Sequence, residues 1–346
     1  MKVVNTLDRL VWKKFVDENP LGNVFHTPEM FDVYAHASGY HPFLWAVIDD
    51  SGQVLALFIP VQITLGVDLL RFFTRRNVAF GSVLTVDGER GRQALALLLK
   101  TYNKKIFGWP LFTELRNVAD LSEVQDVLQD AGYVYEEHSN YLIDLQRDLY
   151  DVLQGLGHDA RHRIRQNLRR GLVQVESISD RAQIPTVYQL LQKTYHWAHI
   201  PLAQNSLFDA AFEILGSQNM VRFTIGYIDG APVSTMVCLL YKNIVYGWYN
   251  GSDRAYGSHS PNELMYWDTI QWGVLNGYHV FDLGGAGKLS QHYGVRDFKA
   301  KFNGKMVTYG RNIFIHSRKR LKLSETIYQL ARKALALTNR KPDKKK

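Results

Sequence analysis

The sequence holds a single cysteine, Cys238, among 346 residues. That excludes an internal disulfide framework and a cysteine-based zinc site. No apolar run approaches the roughly 18 residues that a membrane-spanning helix needs. The first 18 residues are charged and amphipathic, without the apolar block of a signal peptide. None of the 12 histidines stands in a His-Glu-x-x-His motif. His158 and His162 lie four apart on an expected helix, but Asp159, the nearest acid, faces away from the pair, so no metal site is expected. Positive charge is also scarce outside one end. Lys and Arg number 41 and Asp and Glu 33, a net charge of +8. Residues 311–346 carry 12 basic and 2 acidic residues, +10, which leaves the rest at −2. The basic end runs from Arg318-Lys319-Arg320 to Lys344-Lys345-Lys346. It reads as a solubilising tail or as a contact for anionic headgroups or phosphates. The expected location is the cytoplasm, peripheral at the inner face of the membrane if that tail engages lipid.

What is present is a globular composition. Hydrophobic residues make up 46% and charged residues 21%, which excludes disordered, collagenous and coiled-coil chains. The length suits about two domains. Residues 6–19 read as a helix with Leu7, Leu10, Val11 and Phe15 on one face. Thr27-Pro28-Glu29 starts another. Strands are expected at 43–48 and 53–63, as a hairpin, then at 78–86 and 111–115, with a helix at 88–106 between the last two. The second half repeats that order. Helices at 184–197 and 207–215 precede a hairpin of 221–228 with 231–241 around Asp229-Gly230. A strand at 244–250, a helix at 261–276 and a strand at 279–283 follow. Two matched α/β units explain this better than one irregular domain. The expected division is 1–150, 151–317 and a basic tail, 318–346, with the boundary between 146 and 156. In the tail Leu323, Ile327, Leu330, Ala334 and Leu337 recur at helical steps. Between the units, residues 158–170 hold five arginines: Arg161, Arg163, Arg165, Arg169 and Arg170. Ile164 and Leu168 would dock that helix, leaving the arginines as a solvated face or a phosphate contact.

Three segments of the second unit carry candidate chemistry. After the strand at 244–250 comes a small polar loop with Arg254, Gly257, Ser258 and Asn262, leading into a helix. The free N–H groups and positive end of that helix make an anion site. Next is Phe281-Asp282-Leu283-Gly284-Gly285-Ala286-Gly287-Lys288, at a strand end. It is not a nucleotide P-loop. Gly284 and Gly285 imply close approach of backbone to a ligand or strand, and Asp282 is placed to orient an amine. The third is Tyr293-Gly294-Val295-Arg296-Asp297-Phe298-Lys299-Ala300-Lys301-Phe302, with Arg296 and Lys299 among aromatics. Lys299 can offer its ammonium to a developing oxyanion or a phosphate, although a surface strand is the simpler alternative.

In this order and spacing the segments resemble the Fem family of peptidoglycan-bridge aminoacyltransferases and its acyltransferase relatives. The resemblance extends to Val24-Phe25-His26-Thr27-Pro28-Glu29-Met30 and to Arg161-His162-Arg163-Ile164-Arg165-Gln166 with Gly171-Leu172-Val173. Arg254 to His259 also resembles the Arg/Gln-x-x-Gly-x-Gly/Ala loop by which GNAT-type N-acyltransferases hold the coenzyme A pyrophosphate, with His259 at its last position. The resemblance implies an α/β (α+β) fold of two tandem GNAT-like domains, each a mixed, mostly antiparallel sheet flanked by helices. It implies transfer of an aminoacyl or acyl group from aminoacyl-tRNA or acyl-coenzyme A to an amine of an envelope precursor, lipid-linked or not. Neither donor would be a tightly bound cofactor. The family's Phe-Lys pair falls on Phe298 and Lys299, which gives Lys299 the donor-carbonyl role. No sustained heptads provide the long coiled-coil arm of some family members. Direct attack by the amine needs no covalent intermediate, and Asp282 and Tyr249 are the candidate bases. Cys238 lies in an apolar strand and reads as structural. Rival readings are an acyl-coenzyme A-dependent enzyme of exopolysaccharide or amino-sugar synthesis, and a phosphate- or nucleic-acid-binding module without catalysis.

Overall fold

The computed structural model describes residues 1–64, 74–106 and 110–327. The first half runs β1 (Lys2–Val4), α1 (Arg9–Glu18), α2 (Pro28–His36), β2 (Tyr40–Pro42), β3 (Trp45–Ile48), β4 (Val54–Phe58), β5 (Val61–Ile63), β6 (Arg76–Ala79), β7 (Val83–Thr85), α3 (Gly88–Lys105), β8 (Phe112–Arg116), α4 (Gln125–Asp130), β9 (Val134–Glu136) and β10 (Asn140–Asp144). The second runs α5 (Leu149–Gly155), α6 (His158–Arg170), β11 (Gln174–Ser177), α7 (Ile184–Trp197), α8 (Asn205–Gly216), β12 (Val221–Ile228), β13 (Ala231–Tyr241), β14 (Ile244–Ser252), α9 (Pro261–Leu275), β15 (Val280–Gly285), α10 (Gly294–Ala300), β16 (Lys305–Val307) and β17 (Arg311–Ile315). A last helix starts at 318 and is described to 327; the basic tail beyond it lies outside the described residues.

Three sheets form. One has the order β1-β3-β4-β7, a second β2-β5-β6-β8-β17-β9, and the third β11-β12-β13-β14-β15-β10-β16. The third is antiparallel except for β14 against β15. Its interior strand β13 is buried at almost every position, as a strand covered on both faces must be. The hairpin turn Asp229-Gly230 has positive φ at both residues, the geometry whose twist matches the strands it joins.

Hydrogen bonding crosses the expected boundary in both directions. Strand β10, before residue 150, pairs with β15 and β16 in the second-half sheet. Strand β17, near the C-terminus, pairs with β8 and β9 in the first-half sheet. Each exchanged strand is held by packing as well as by its ladder. Tyr141 and Ile143 of β10 enter the core under α9, and Asn312 of β17 is fully buried, accepting from Asn117 Nδ2 at 2.9 Å. A shared core adds to this, with Phe25, Met30 and Tyr34 packed among Leu190, Phe208, Val237 and Leu239.

Several local expectations change. Helix α1 buries Trp12 and Val16 and exposes Leu10 and Val11, because its start is set by Asp8, whose carboxylate accepts from the Leu10 and Val11 N–H groups. Residues 53–63 break into β4 and β5, which join different sheets, and Ile59-Pro60 lie between them. Pro60 has no N–H to continue a ladder. Residues 78–86 split likewise at Ser82, where φ is +68°. On α6 the docked residues are Ala160, Ile164 and Asn167, whereas Leu168 is half exposed. The Lys299 segment is the helix α10, not a surface strand.

The exchange makes the halves interdependent. Residues 1–150 and 151–346 made separately should each lack a cooperative urea transition, because each sheet loses a strand, whereas the whole chain should melt in one transition. Independent two-state melting of either half would contradict this.

Candidate active site

The site begins where two strands part. Parallel pairing of β14 and β15 runs from Ile244 opposite Val280 to Tyr246 opposite Asp282 and then ends. Just beyond, β14 carries a bulge against β13, with Cys238 opposite Gly247 and Val237 opposite Tyr249. A bulge bends its strand and increases its twist, which turns β14 away from β15. In the opening fork lie Gly284 and Gly285. Gly284 has φ +76°, and a Cβ there would sit 2.7 Å from the Gly247 carbonyl oxygen. Only glycine fits.

Lys299 reaches this fork from α10. Its Nζ donates to the Gly285 carbonyl at 3.0 Å, and its side chain is buried. Asp282, two residues before Gly284, is also buried. Its carboxylate accepts from the Gly284 N–H at 2.7 Å and from Asn140 Nδ2 at 3.1 and 3.2 Å. Asn140 comes from β10, the strand lent by the first half. Burial raises the pKa of Asp282 against these donors and the charge of Lys299, and burial lowers that of Lys299 against the charge of Asp282. Both groups are thereby drawn toward neutral pH, where proton transfer is most effective.

The fork opens on a cleft of about 820 Å³ between the halves. Tyr246, Trp248 and Tyr249 of β14 form one wall with Asn140 and Gly285. Burial pushes the Tyr249 hydroxyl well above its ordinary pKa, so it keeps its proton and acts as a donor; Asp282 is the better of the two candidate bases. The opposite wall holds Arg76, Phe80, Arg116, His138 and Arg311. There Arg116 grips Glu114 through Nε and Nη2 at 3.2 and 3.1 Å, lies 5.1 Å over the Phe80 ring, and shares Glu114 with Arg311. Burial raises the pKa of Glu114, but the two guanidiniums outweigh it and hold the carboxyl at about 2. A second cavity of about 210 Å³ lies beside the first, with Asp282 and Tyr246 among apolar walls.

The remaining expected residues sit elsewhere. Phe298 packs edge-on to Tyr266 and Phe302 in the core. Arg296 donates to the Lys288 and Gln291 carbonyls and so folds the 288–293 loop. Arg254, Gly257 and Ser258 lie in an exposed 3-10 turn, with the Arg254 guanidinium 3.6 Å over Trp197. Asn262 is in the first turn of α9. That turn also holds the buried Glu263, 3.8 Å from Arg163, so a carboxylate of the chain itself already faces the helix end. None of these residues lines the cleft. On α6 the outward face of His158, Arg161, His162, Arg165, Arg169 and Arg170 borders a surface groove of about 410 Å³. Among the described residues no group of His, Cys, Asp or Glu is arranged to hold a metal ion. Asn140, Glu114, Arg116, Arg311 and Trp248 were not visible as site residues in the sequence. Each sits in an ordinary strand, and the strand exchange brings Asn140 and Arg311 to their partners in the other half.

Residues 158–300 match the family described as acetyltransferase (GNAT) domain. That match spans the second half from α6 to α10. The fold of the whole chain is that of FemX, with 14% identity, 95% of this chain and 99% of that one covered, and a TM-score of 0.69. It is also that of L-PGS from Bacillus licheniformis, with 13% identity, coverage of 94% and 98%, and a TM-score of 0.57. A tandem GNAT protein from the clavulanic acid biosynthesis pathway superposes with 10% identity, coverage of 91% and 98%, and a TM-score of 0.57. No curated protein matches by sequence. The architecture is thus a pair of GNAT-like units, the second of which carries that match and contains the fork.

The Glu114 cluster has a pH signature. A carboxyl held at about 2 against an ordinary 4.5 contributes stability that is fully present above pH 4.5 and is lost as pH falls toward 2. The stability gap between the wild type and Glu114→Gln, on the order of 3 kcal/mol at neutral pH, should close across that window in urea melts. A gap independent of pH would exclude the ion pairing.

Proposed function

We propose that the chain is an N-acyltransferase that moves an aminoacyl or acyl group from an activated ester or thioester to an amine of a cell-envelope precursor. The observation that carries this reading is the buried ammonium of Lys299 beside a buried carboxyl at the β14–β15 fork, just behind Gly285 and Asn140, which line a substrate-sized cleft. The amine attacks the donor carbonyl, a C–N bond forms, and the carbonyl oxygen gains negative charge. In a site shielded from water, a fixed positive charge stabilises that oxygen far more than it would in bulk solvent. Lys299 spends one N–H on Gly285, which fixes its direction, and has further donors for the oxygen. Asp282 accepts the proton from the amine. The C–O or C–S bond then breaks, and the leaving oxygen or sulfur takes up a proton. Asn140 and the Gly284 N–H hold the carboxylate for its part in this.

The likeness of the fold to FemX and L-PGS supports an envelope acceptor. Among the described residues no helix is long and apolar enough to cross a membrane. A lipid-linked acceptor would therefore be met at the surface, with the basic end as the contact. Both donors remain open. The arginine face of α6 is the surface we assign to the phosphates of either donor.

Radiolabelled acyl-coenzyme A and aminoacyl-tRNA offered in parallel with amine acceptors test the reading. One donor should be consumed with formation of an amide. Lys299→Met, of similar length, should lower turnover about 100-fold or more, the usual cost of losing an oxyanion donor, while the variant remains folded by circular dichroism. Turnover unchanged in that variant removes Lys299 from the mechanism, and consumption of neither donor removes the transferase reading.

A further inference from the structure

The cleft wall opposite the fork contains an arrangement that stability alone does not explain. Arg311 of β17 stands directly across the ladder from Arg116 of β8. Like charges opposite each other on neighbouring strands are destabilising. Here they are bridged by one carboxylate, Glu114, two residues from Arg116 on the same face of β8. Exposure is uneven. The Glu114 side chain is 8% exposed, that of Arg116 35% and that of Arg311 28%. The negative charge is buried beneath the two guanidiniums, which line the cleft.

Two guanidiniums against Glu114 leave an excess of one positive charge, since Glu136, across the ladder from Arg311 on β9, is paired with Lys288 at 2.7 Å. Glu325 is the acid on the cleft side, and it is exposed at the rim, where water screens it. His138, between these arginines and Asn140, has its Nδ1 buried without a hydrogen-bond partner. Burial, together with the field of Arg311, lowers its pKa to about 4. It is therefore a neutral ring beside a positive field. Glu114 takes the Nε–Nη2 edge of Arg116 and the Nη1 of Arg311, and Phe80 supports Arg116 from beneath. Preset, partly desolvated arginine forks match the flat oxygens of a carboxylate or phosphate.

The geometry points to an anion-binding site formed by Arg116 and Arg311, with Glu114 as the residue that positions them, for a carboxylate or phosphate carried by the amine acceptor. The assignment to the acceptor rests on the transfer reading. Under that reading the donor's phosphates lie with the second half, at α6, which leaves the first-half wall to the other substrate. The site itself rests only on the cluster.

Binding is measured without turnover. Inorganic pyrophosphate and succinate are titrated separately by calorimetry at fixed ionic strength, with melting temperature recorded for every variant. At least one probe should bind saturably, and which one binds separates a phosphate from a carboxylate. Arg311→Lys keeps the charge but loses the fork, and should weaken binding about tenfold. Glu114→Gln frees both guanidiniums and should tighten it several-fold, the opposite of what general damage to the fold would do. Arg181→Gln, in an exposed ion-pair cluster with Asp209 and Glu213, should leave binding unchanged. Absence of saturable binding overturns the site. So does weakening by Glu114→Gln, or binding that is indifferent to Arg311→Lys. Transfer activity without anion binding would sink this inference alone, and anion binding without transfer would sink only the catalytic reading.

Discussion

The site depends on the early end of one parallel strand pair. After Tyr246 and Asp282 the β14–β15 ladder stops. The backbone groups beyond it need other partners, because an unpaired buried carbonyl or N–H costs as much as a lost hydrogen bond. The fold supplies them from side chains. Lys299 takes the Gly285 carbonyl, and Asp282 takes the Gly284 N–H. The charged groups that fill the gap left by the ladder are thus the groups poised for chemistry. Lys299 and Asp282 tolerate burial because each has a fixed partner and each moderates the other's charge. A longer ladder would have satisfied the backbone and left neither residue a reason to be inside.

The second constraint is the exchange of β10 and β17. It supplies Asn140 to Asp282 in one direction and Arg311 to Glu114 in the other. Both walls of the cleft therefore contain a residue from the far half of the chain. Relative motion of the halves would disturb the carboxylate at the fork and the arginine pair together, so the cleft is braced at two points against hinge-like opening.

Much of this was legible in the sequence. Element order showed the paired units, since helix, helix, hairpin, strand, helix, strand recurs with turn residues at matching places. Asp282, Gly284, Gly285 and Lys299 stood out because glycines after a strand and a lysine among aromatics are hard to account for as solvated surface, and they do converge. The exchange of β10 and β17 was not legible, because strand pairing between distant segments leaves no local trace in composition. Arg254 and its neighbours looked like a phosphate cradle for the same reason that any capped helix start does. The structure shows the turn wound into a 3-10 helix and the α9 end already faced by Glu263. Arg116 and Arg311 were illegible because a charged residue in a strand normally points to water. Only the ladder register reveals that two of them point at each other.

Strand β17 also has a temporal consequence. The bond between Asn117 and Asn312 spans 195 residues, and the strand beside it is the last one in the described chain. During synthesis the first-half sheet must wait, with the facing edges of β8 and β9 uncovered, until nearly the whole polypeptide has emerged. Closing so long a loop late is slow, and open strand edges invite pairing with other nascent chains. This architecture should therefore be more sensitive to chaperone supply and to crowding on polysomes than a pair of separable domains of the same size.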